Sequence, residues 1–132
     1  MARILLVDDE QGILNTLTIL LKSEGFEPAA ALGAEKALQI LMEEEFDLMI
    51  SDIRMAPMNG MELLRIVHET YPNMAVIMLT AYGQVDSAIE ADQLGASAYV
   101  KKPFRTEELL MAIEKALDYR KLLSDQANNY NG

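Results

Sequence analysis

The sequence predicts an open, doubly wound α/β fold, a parallel sheet with helices on both faces. Three observations support this. Ile4-Leu5-Leu6-Val7, Leu48-Met49-Ile50 and Ala75-Val76-Ile77-Met78-Leu79 are short, continuous apolar runs, the pattern of strands buried on both faces of a parallel sheet. Segments with helical apolar spacing lie between them. The two kinds of segment alternate along the chain, which requires crossover connections and places helices on either side of the sheet.

Taken in order, the strand at Ile4–Val7 is followed by helical spacing at Ile13, Leu17, Leu20 and Leu21. Pro28-Ala29-Ala30-Ala31 is a weaker run suited to a sheet edge, and Ala37, Leu38, Leu41 and Met42 give the second helix. The strand at Leu48–Ile50 precedes a third helix marked by Met61, Leu64 and Val67, and the strand at Ala75–Leu79 a fourth marked by Ile89 and Leu94. Ala98-Tyr99-Val100 is the second edge candidate, and Leu109, Ile113, Ala116 and Leu117 mark the last helix. Punctuation agrees: Gly25 and Gly33 flank helical stretches, Pro72-Asn73 precedes the fourth strand, and Thr106 with Glu107 and Glu108 suits a helix start. The expected organisation is one domain over residues 1–123, with residues 124–132 a polar tail or linker stub lacking periodicity.

The 132 residues suffice for one core. There is no cysteine, which excludes disulfides, thiolate metal sites and a Cys nucleophile. The N-terminus enters a strand without the apolar stretch of a signal peptide, and no run reaches the length of a membrane span. A cytoplasmic protein is expected. A formal net charge of −10, from 21 acids and 11 bases, would repel nucleic acid and anionic membrane, so neither is an expected partner.

Function in an open parallel sheet collects outside the carboxyl ends of the strands. Here the first run ends in Asp8-Asp9, the third in Ser51-Asp52, the fourth in Thr80 and the fifth in Lys101-Lys102-Pro103. Any one of these has an ordinary explanation: a helix cap for Asp8 or Asp9, a loop turn for Asp52, a helix-start hydroxyl for Thr80, a solvated lysine for Lys102. Their arrival together at one sheet edge does not. Two carboxylates about 4 Å apart repel by roughly 1–4 kcal/mol, so three require a counter-ion. An all-oxygen site with room for water suits Mg²⁺. Beside a metal, a carboxylate can attack phosphorus while Lys and Thr donors take up charge on the phosphoryl oxygens.

As an ordered set, Leu5-Leu6-Val7-Asp8-Asp9-Glu10, Ser51-Asp52-Ile53-Arg54-Met55, Met58-Asn59-Gly60, Leu79-Thr80-Ala81-Tyr82 and Tyr99-Val100-Lys101-Lys102-Pro103-Phe104 resemble the receiver domain of bacterial response regulators, from Ile4 to about Leu123. The resemblance implies a flavodoxin-like (βα)5 fold with sheet order 2-1-3-4-5. It implies that Asp52 is the phosphoacceptor, attacking the phosphohistidine of a sensor histidine kinase or phosphotransfer protein. Asp8, Asp9, Asp52 and the backbone carbonyl of Arg54 are the implied Mg²⁺ ligands, and Lys102 the lysine that contacts the phosphoryl group. Backbone at Arg54 and Ala81 would contact it too, and Lys102-Pro103 is expected to be cis. Thr80 and Tyr99 are the implied switch pair, reshaping the face of the fourth helix, fifth strand and fifth helix for an output domain, an effector or a phosphorylation-dependent homodimer. By the same analogy Ile13 and Leu14 are candidate kinase contacts.

One departure stands out. The family's loop after the acceptor reads Met-Pro-x-Met-(Asp or Asn)-Gly, whereas here Met55-Ala56-Pro57-Met58-Asn59-Gly60 displaces the proline by one. Bulky Arg54 and Tyr82, at positions that gate water in the family, lead to the expectation of a long-lived phosphoryl state. On this reading the protein is not an enzyme beyond its own phosphorylation and slow autodephosphorylation. The alternative is a Mg²⁺-dependent small-molecule phosphohydrolase with an Asp nucleophile, but such enzymes place a second acid where Arg54 stands. His68 sits in a helical stretch away from the strand ends, and the methionines, including Met42, Met49, Met61 and Met78, suit core filling.

Overall fold

The computed structural model describes residues 1–80 and 95–130, with side chains described as far as Leu122. The expectations for Ala81, Tyr82, Ile89 and Leu94 lie outside the described residues. Within them are five strands, β1 (Arg3–Asp8), β2 (Glu27–Leu32), β3 (Leu48–Asp52), β4 (Ala75–Thr80) and β5 (Ala98–Lys101). Four helices accompany them: α1 (Gln11–Ser23), α2 (Ala34–Glu43), α3 (Gly60–Thr70) and α4 (Thr106–Tyr130).

All strand pairings are parallel, and the sheet runs β2-β1-β3-β4-β5. The sequence explains which strands are central. Every residue of β4, and all but one each of β1 and β3, are buried, whereas β2 and β5 alternate with exposed or half-buried positions. Because successive side chains point to opposite faces, each central run feeds two cores. Leu5, Val7, Met49, Val76 and Met78 pack with Ala37 and Leu41 of α2 and Leu63, Leu64 and Val67 of α3. Ile4, Leu6, Leu48, Ile50, Ile77 and Leu79 pack with Leu14, Leu17 and Leu21 of α1 and Leu109, Ile113 and Ala116 of α4. Among the described residues two helices pack on each face, so the sheet is doubly wound.

Local signals set the ends of the helices. After α1 the chain turns at Gly25, whose φ of +89° is costly for any residue with a Cβ. The Gly25 and Phe26 N–H groups return to the carbonyls of Lys22 and Leu21, at 3.1 and 3.0 Å. At α3 the Asn59 side chain accepts from the Glu62 N–H at 3.0 Å and donates to the Glu62 carboxylate at 3.2 Å, a reciprocal cap. At the far end of the sheet Arg120 of α4 donates to the Asn73 carbonyl at 2.7 Å and pairs with Asp47 at 3.2 Å. Asp47 also accepts the Arg3 N–H at 2.9 Å.

Three expectations need correction. Residues 124–130, which show no apolar periodicity, continue α4 as helix; no Gly or Pro interrupts them before Gly132, and helix formation requires no apolar stripe. Met42 is 82 % exposed, on the outer side of α2, and fills no core. Leu14 is buried in the α1 layer, leaving half-buried Ile13 as the member of that pair with surface to offer.

The two apolar residues Ile77 and Ile19 should respond oppositely to truncation. Ile77 is fully buried and Ile19 is 71 % exposed. Ile77→Ala should cost about 2–5 kcal/mol in urea unfolding, while Ile19→Ala should stay within about 0.5 kcal/mol of the parent.

Candidate functional site

The strand order reverses about β1, whose neighbours are β2 and β3. A crevice opens beyond the carboxyl ends of strands at such a point. Asp8 is the last residue of β1 and Asp52 the last of β3, with Asp9 following directly from β1. One carboxylate oxygen from each of Asp8, Asp9 and Asp52 lies within 4.8 Å of the others. Lys102, just past β5, reaches in from the other side. Its Nζ stands 3.3 Å from Asp52 Oδ1 and 3.8 Å from Asp8 Oδ2, while Lys101 beside it is exposed. Thr80, ending β4, is fully buried, and the half-buried Tyr99 ring packs against the α2–α3 core.

Local backbone bonding builds this cluster. The Lys102 N–H donates to the Thr80 carbonyl at 2.6 Å, extending the β4–β5 ladder by one residue past the strand. The Lys102–Pro103 peptide is cis, and so is Ala56–Pro57 in the loop after Asp52. The displaced proline leaves that loop closed: the Ile53 N–H donates to the Leu79 carbonyl at 3.1 Å and the Gly60 N–H to the Ile53 carbonyl at 2.8 Å. Closure brings Gly60 so near the backbone that a Cβ there would land on the Asp52 carbonyl oxygen and lie 2.8 Å from the Ile53 Cα. Gly60 is therefore required by close approach, at a φ open to any residue. The loop bounds a cleft of about 590 Å³ lined by Asp9, Arg54, Met55, Ala56 and Asn59, among others.

Asp8 is the strained member. It is only 2 % exposed; its Oδ1 accepts the Glu10 N–H at 2.9 Å, and its Oδ2 is buried without a hydrogen-bond partner. Burial pushes its carboxyl above the ordinary carboxylate value, and the neighbouring Asp52 and Asp9 charges push the same way. The Glu10 N–H and the Lys102 charge oppose that rise without cancelling it. A buried carboxylate oxygen with an open valence, two further carboxylates beside it and a cleft of water-holding size fit a hard divalent cation with oxygen ligands. Lys102 alone cannot neutralise three carboxylates.

The structure thus brings Asp8, Asp9, Asp52 and Lys102 together and places Arg54 on the adjoining cleft. His68 is exposed on α3 with its ring against Gly95, outside the cluster. Sequence reasoning missed the second cis proline and the Glu10 N–H that holds Asp8. Gly60 was quoted in the motif, and its place two residues after Met58, at the head of a helix, is the signal that could have suggested a close approach.

An open α/β sheet with an acidic cluster and a lysine at its switch point defines a class of phosphoryl-handling, flavodoxin-like domains. Within it the response regulator receiver domain model matches residues 4–114, and the chain belongs to that family. It is 38 % identical over 125 residues to the transcriptional regulatory protein GlrR of Escherichia coli, covering 95 % of this chain and 28 % of GlrR. It is 42 % identical over 109 residues to the response regulator protein FleR of Pseudomonas aeruginosa, covering 83 % and 23 %. The chain spans about a quarter of the length of these curated relatives. A response regulator receiver domain protein from Clostridium thermocellum superposes with a TM-score of 0.89 at 38 % identity, covering 93 % of this chain and 99 % of that one. A CheY-like receiver domain protein from Methanospirillum hungatei gives 0.87 at 36 %, covering 92 % and 97 %.

Two outcomes are expected. Gly60→Ala should destabilise by about 2–4 kcal/mol, seen as a lower urea midpoint, because backbone rather than a movable side chain blocks the methyl. Asp8→Asn should raise the melting temperature at pH 7 in chelator. A carboxyl whose folded pKa lies above its unfolded one contributes stability below the unfolded value, and that contribution is lost as pH rises through the folded value. Ionised Asp8 is then a net cost, so the gain from Asn should shrink as pH falls toward the ordinary carboxyl value of 3.8, a trend that thermal melts from pH 4 to 7 would resolve.

Proposed function

We propose that this chain is a phosphorelay switch in which Asp52 accepts a phosphoryl group from the phosphohistidine of a sensor histidine kinase or phosphotransfer protein. The observation behind it is the convergence of Asp8, Asp9 and Asp52 within 4.8 Å, with Lys102 3.3 Å from Asp52. Family membership supports the same reading. An Asp52 oxygen forms the new bond to phosphorus as the P–N bond breaks, and the electron pair leaves with the donor imidazole. The Lys102 ammonium and Thr80 hydroxyl receive the phosphoryl oxygens, with backbone at Arg54 and Ala81 completing the contacts. Asp8, Asp9, Asp52 and the Arg54 carbonyl are the proposed Mg²⁺ ligands. Bound there, Mg²⁺ would supply positive charge to the transferring group and relieve the repulsion among the three acids.

Thr80 and Tyr99 are the proposed switch. Thr80 ends the strand next to β5 and Tyr99 lies within β5, in register with Met78. A phosphoryl group that engages the Thr80 hydroxyl would therefore act on the face formed by β5 and α4. That surface would control an output domain, an effector or a phosphorylation-dependent homodimer. A cytoplasmic location fits this role; no helix among the described residues is long and apolar enough to cross a membrane. The phosphohydrolase reading lacks support, since Arg54 occupies the place of its second acid.

Incubation with Mg²⁺ and a small phosphodonor, followed by mass mapping, should give one phosphoryl increment on Asp52. It should vanish in Asp52→Asn and in chelator, and Lys102→Ala should slow its formation by about 10²-fold or more. A label on another residue, or one that survives Asp52→Asn, would refute the assignment.

A further inference from the structure

Ser51 stands directly before Asp52 and takes no part in the acid cluster. It is fully buried. Along β3 the side chains alternate: Leu48 and Ile50 enter the α1–α4 core and Met49 the α2–α3 core, so Ser51 falls on the α2–α3 side. Its register partners there, Val7 of β1 and Met78 of β4, are both buried apolar members of that core. A hydroxyl in such surroundings is costly unless it is hydrogen-bonded, and an alanine would carry no such cost. The Ser51 hydroxyl donates to the Asp52 carbonyl at 3.0 Å.

The peptide it holds is the one that leaves Asp52. The Ile53 N–H of that same planar unit donates to the Leu79 carbonyl at 3.1 Å. Gly60 backs onto the Asp52 carbonyl so closely that no Cβ fits. The Asp52–Ile53 peptide is therefore gripped at its carbonyl by Ser51, at its N–H by β4 and from behind by the start of α3. Its orientation is set by ψ of Asp52, and the Asp52 carboxylate leaves from the same Cα. A turn of this plane would shift that carboxylate relative to Asp8, Asp9 and Lys102, and would carry the Arg54 backbone with it.

We propose that Ser51 is a positioning residue whose hydroxyl, by holding the Asp52 carbonyl, aims the Asp52 carboxylate at the metal and phosphoryl positions. This rests on Asp52 being the phosphoacceptor and a Mg²⁺ ligand. Ser51 touches neither the phosphoryl group nor the metal; it acts through the Asp52 backbone. A misplacement of about 1 Å at a reacting atom costs about 10²-fold in rate. Loss of one restraint out of three should cost less, about tenfold.

Thr and Val have nearly the same shape and only Thr keeps the hydroxyl, so Ser51→Thr and Ser51→Val separate the hydrogen bond from packing, while Ser51→Ala removes the hydroxyl without adding volume. Two measurements are made on each variant: Mg²⁺ binding by calorimetry with no phosphodonor present, and the rate of Asp52 labelling by acetyl phosphate at saturating Mg²⁺. Ser51→Ala and Ser51→Val should each weaken Mg²⁺ binding about tenfold and slow labelling about tenfold, and Ser51→Thr should stay within about twofold of the parent in both. A purely structural role would lower the melting temperature of Ser51→Ala and leave Mg²⁺ affinity and labelling rate unchanged, which would overturn the proposal. Equal behaviour of Ser51→Val and Ser51→Thr would overturn it too. A parent chain that takes no label on Asp52 would instead overturn the phosphoacceptor assignment, and this proposal with it.

Discussion

The structure is organised around a charge problem. Asp8, Asp9 and Asp52 converge within 4.8 Å, and Lys102 stands among them as a cation close to Asp8 and Asp52. No gain in stability explains such a cluster: burial disfavours the Asp8 charge, and both neighbouring acids add to the cost. The two cores offset it. Ile4 to Val7, Leu48 to Ile50 and Ala75 to Leu79 bury almost completely on both faces, so the strands that deliver the acids cannot splay to relieve their repulsion. The rigid sheet keeps the acids poised for a positive partner.

The same rigidity sets how closely the loop after Asp52 must fold. Gly60 begins α3 while nearly touching the Asp52 carbonyl, and the Asn59–Glu62 cap fixes the helix start at that point. The loop is thus anchored at Ile53 by the Leu79 carbonyl and at Gly60 by the Ile53 carbonyl. Between those anchors, the cis Ala56–Pro57 peptide accommodates the proline that sits one place later than the family pattern. A closed β3–α3 loop keeps Arg54 and Met55 on the cleft beside Asp9.

Much of this was legible in the sequence, because the central strands advertise themselves as continuous apolar runs and each ends in a polar residue. Period-two alternation then assigns Leu5 and Val7 to one core and Ile4 and Leu6 to the other. Less legible were features that depend on three-dimensional approach. Asn59-Gly60 reads as a turn signal, yet the glycine serves a backbone contact with β3, which lies eight residues earlier in the chain. Met42 and Leu14 both fit helical apolar spacing; spacing marks a face, whereas burial depends on where the helix ends over the sheet. Residues 124–130 have no apolar stripe to reveal a helix, so only the structure shows α4 running on to Tyr130.

The position of α4 joins the two ends of the molecule. Its inner face is locked by Leu109, Ile113 and Ala116, and Arg120 ties it to Asp47 and Asn73 at the end of the sheet away from the acids. Asp47 is shared with the Arg3 backbone, so this tie also holds the start of β1, whose other end is Asp8. A change of charge at the acids therefore meets a sheet and helix fixed at their far ends. In the proposed switch the side that responds is the β5 edge, half-buried rather than enclosed, where the half-buried Tyr99 packs against the core. A surface built this way would change around β5 while the end of α4 tied by Arg120 keeps its place.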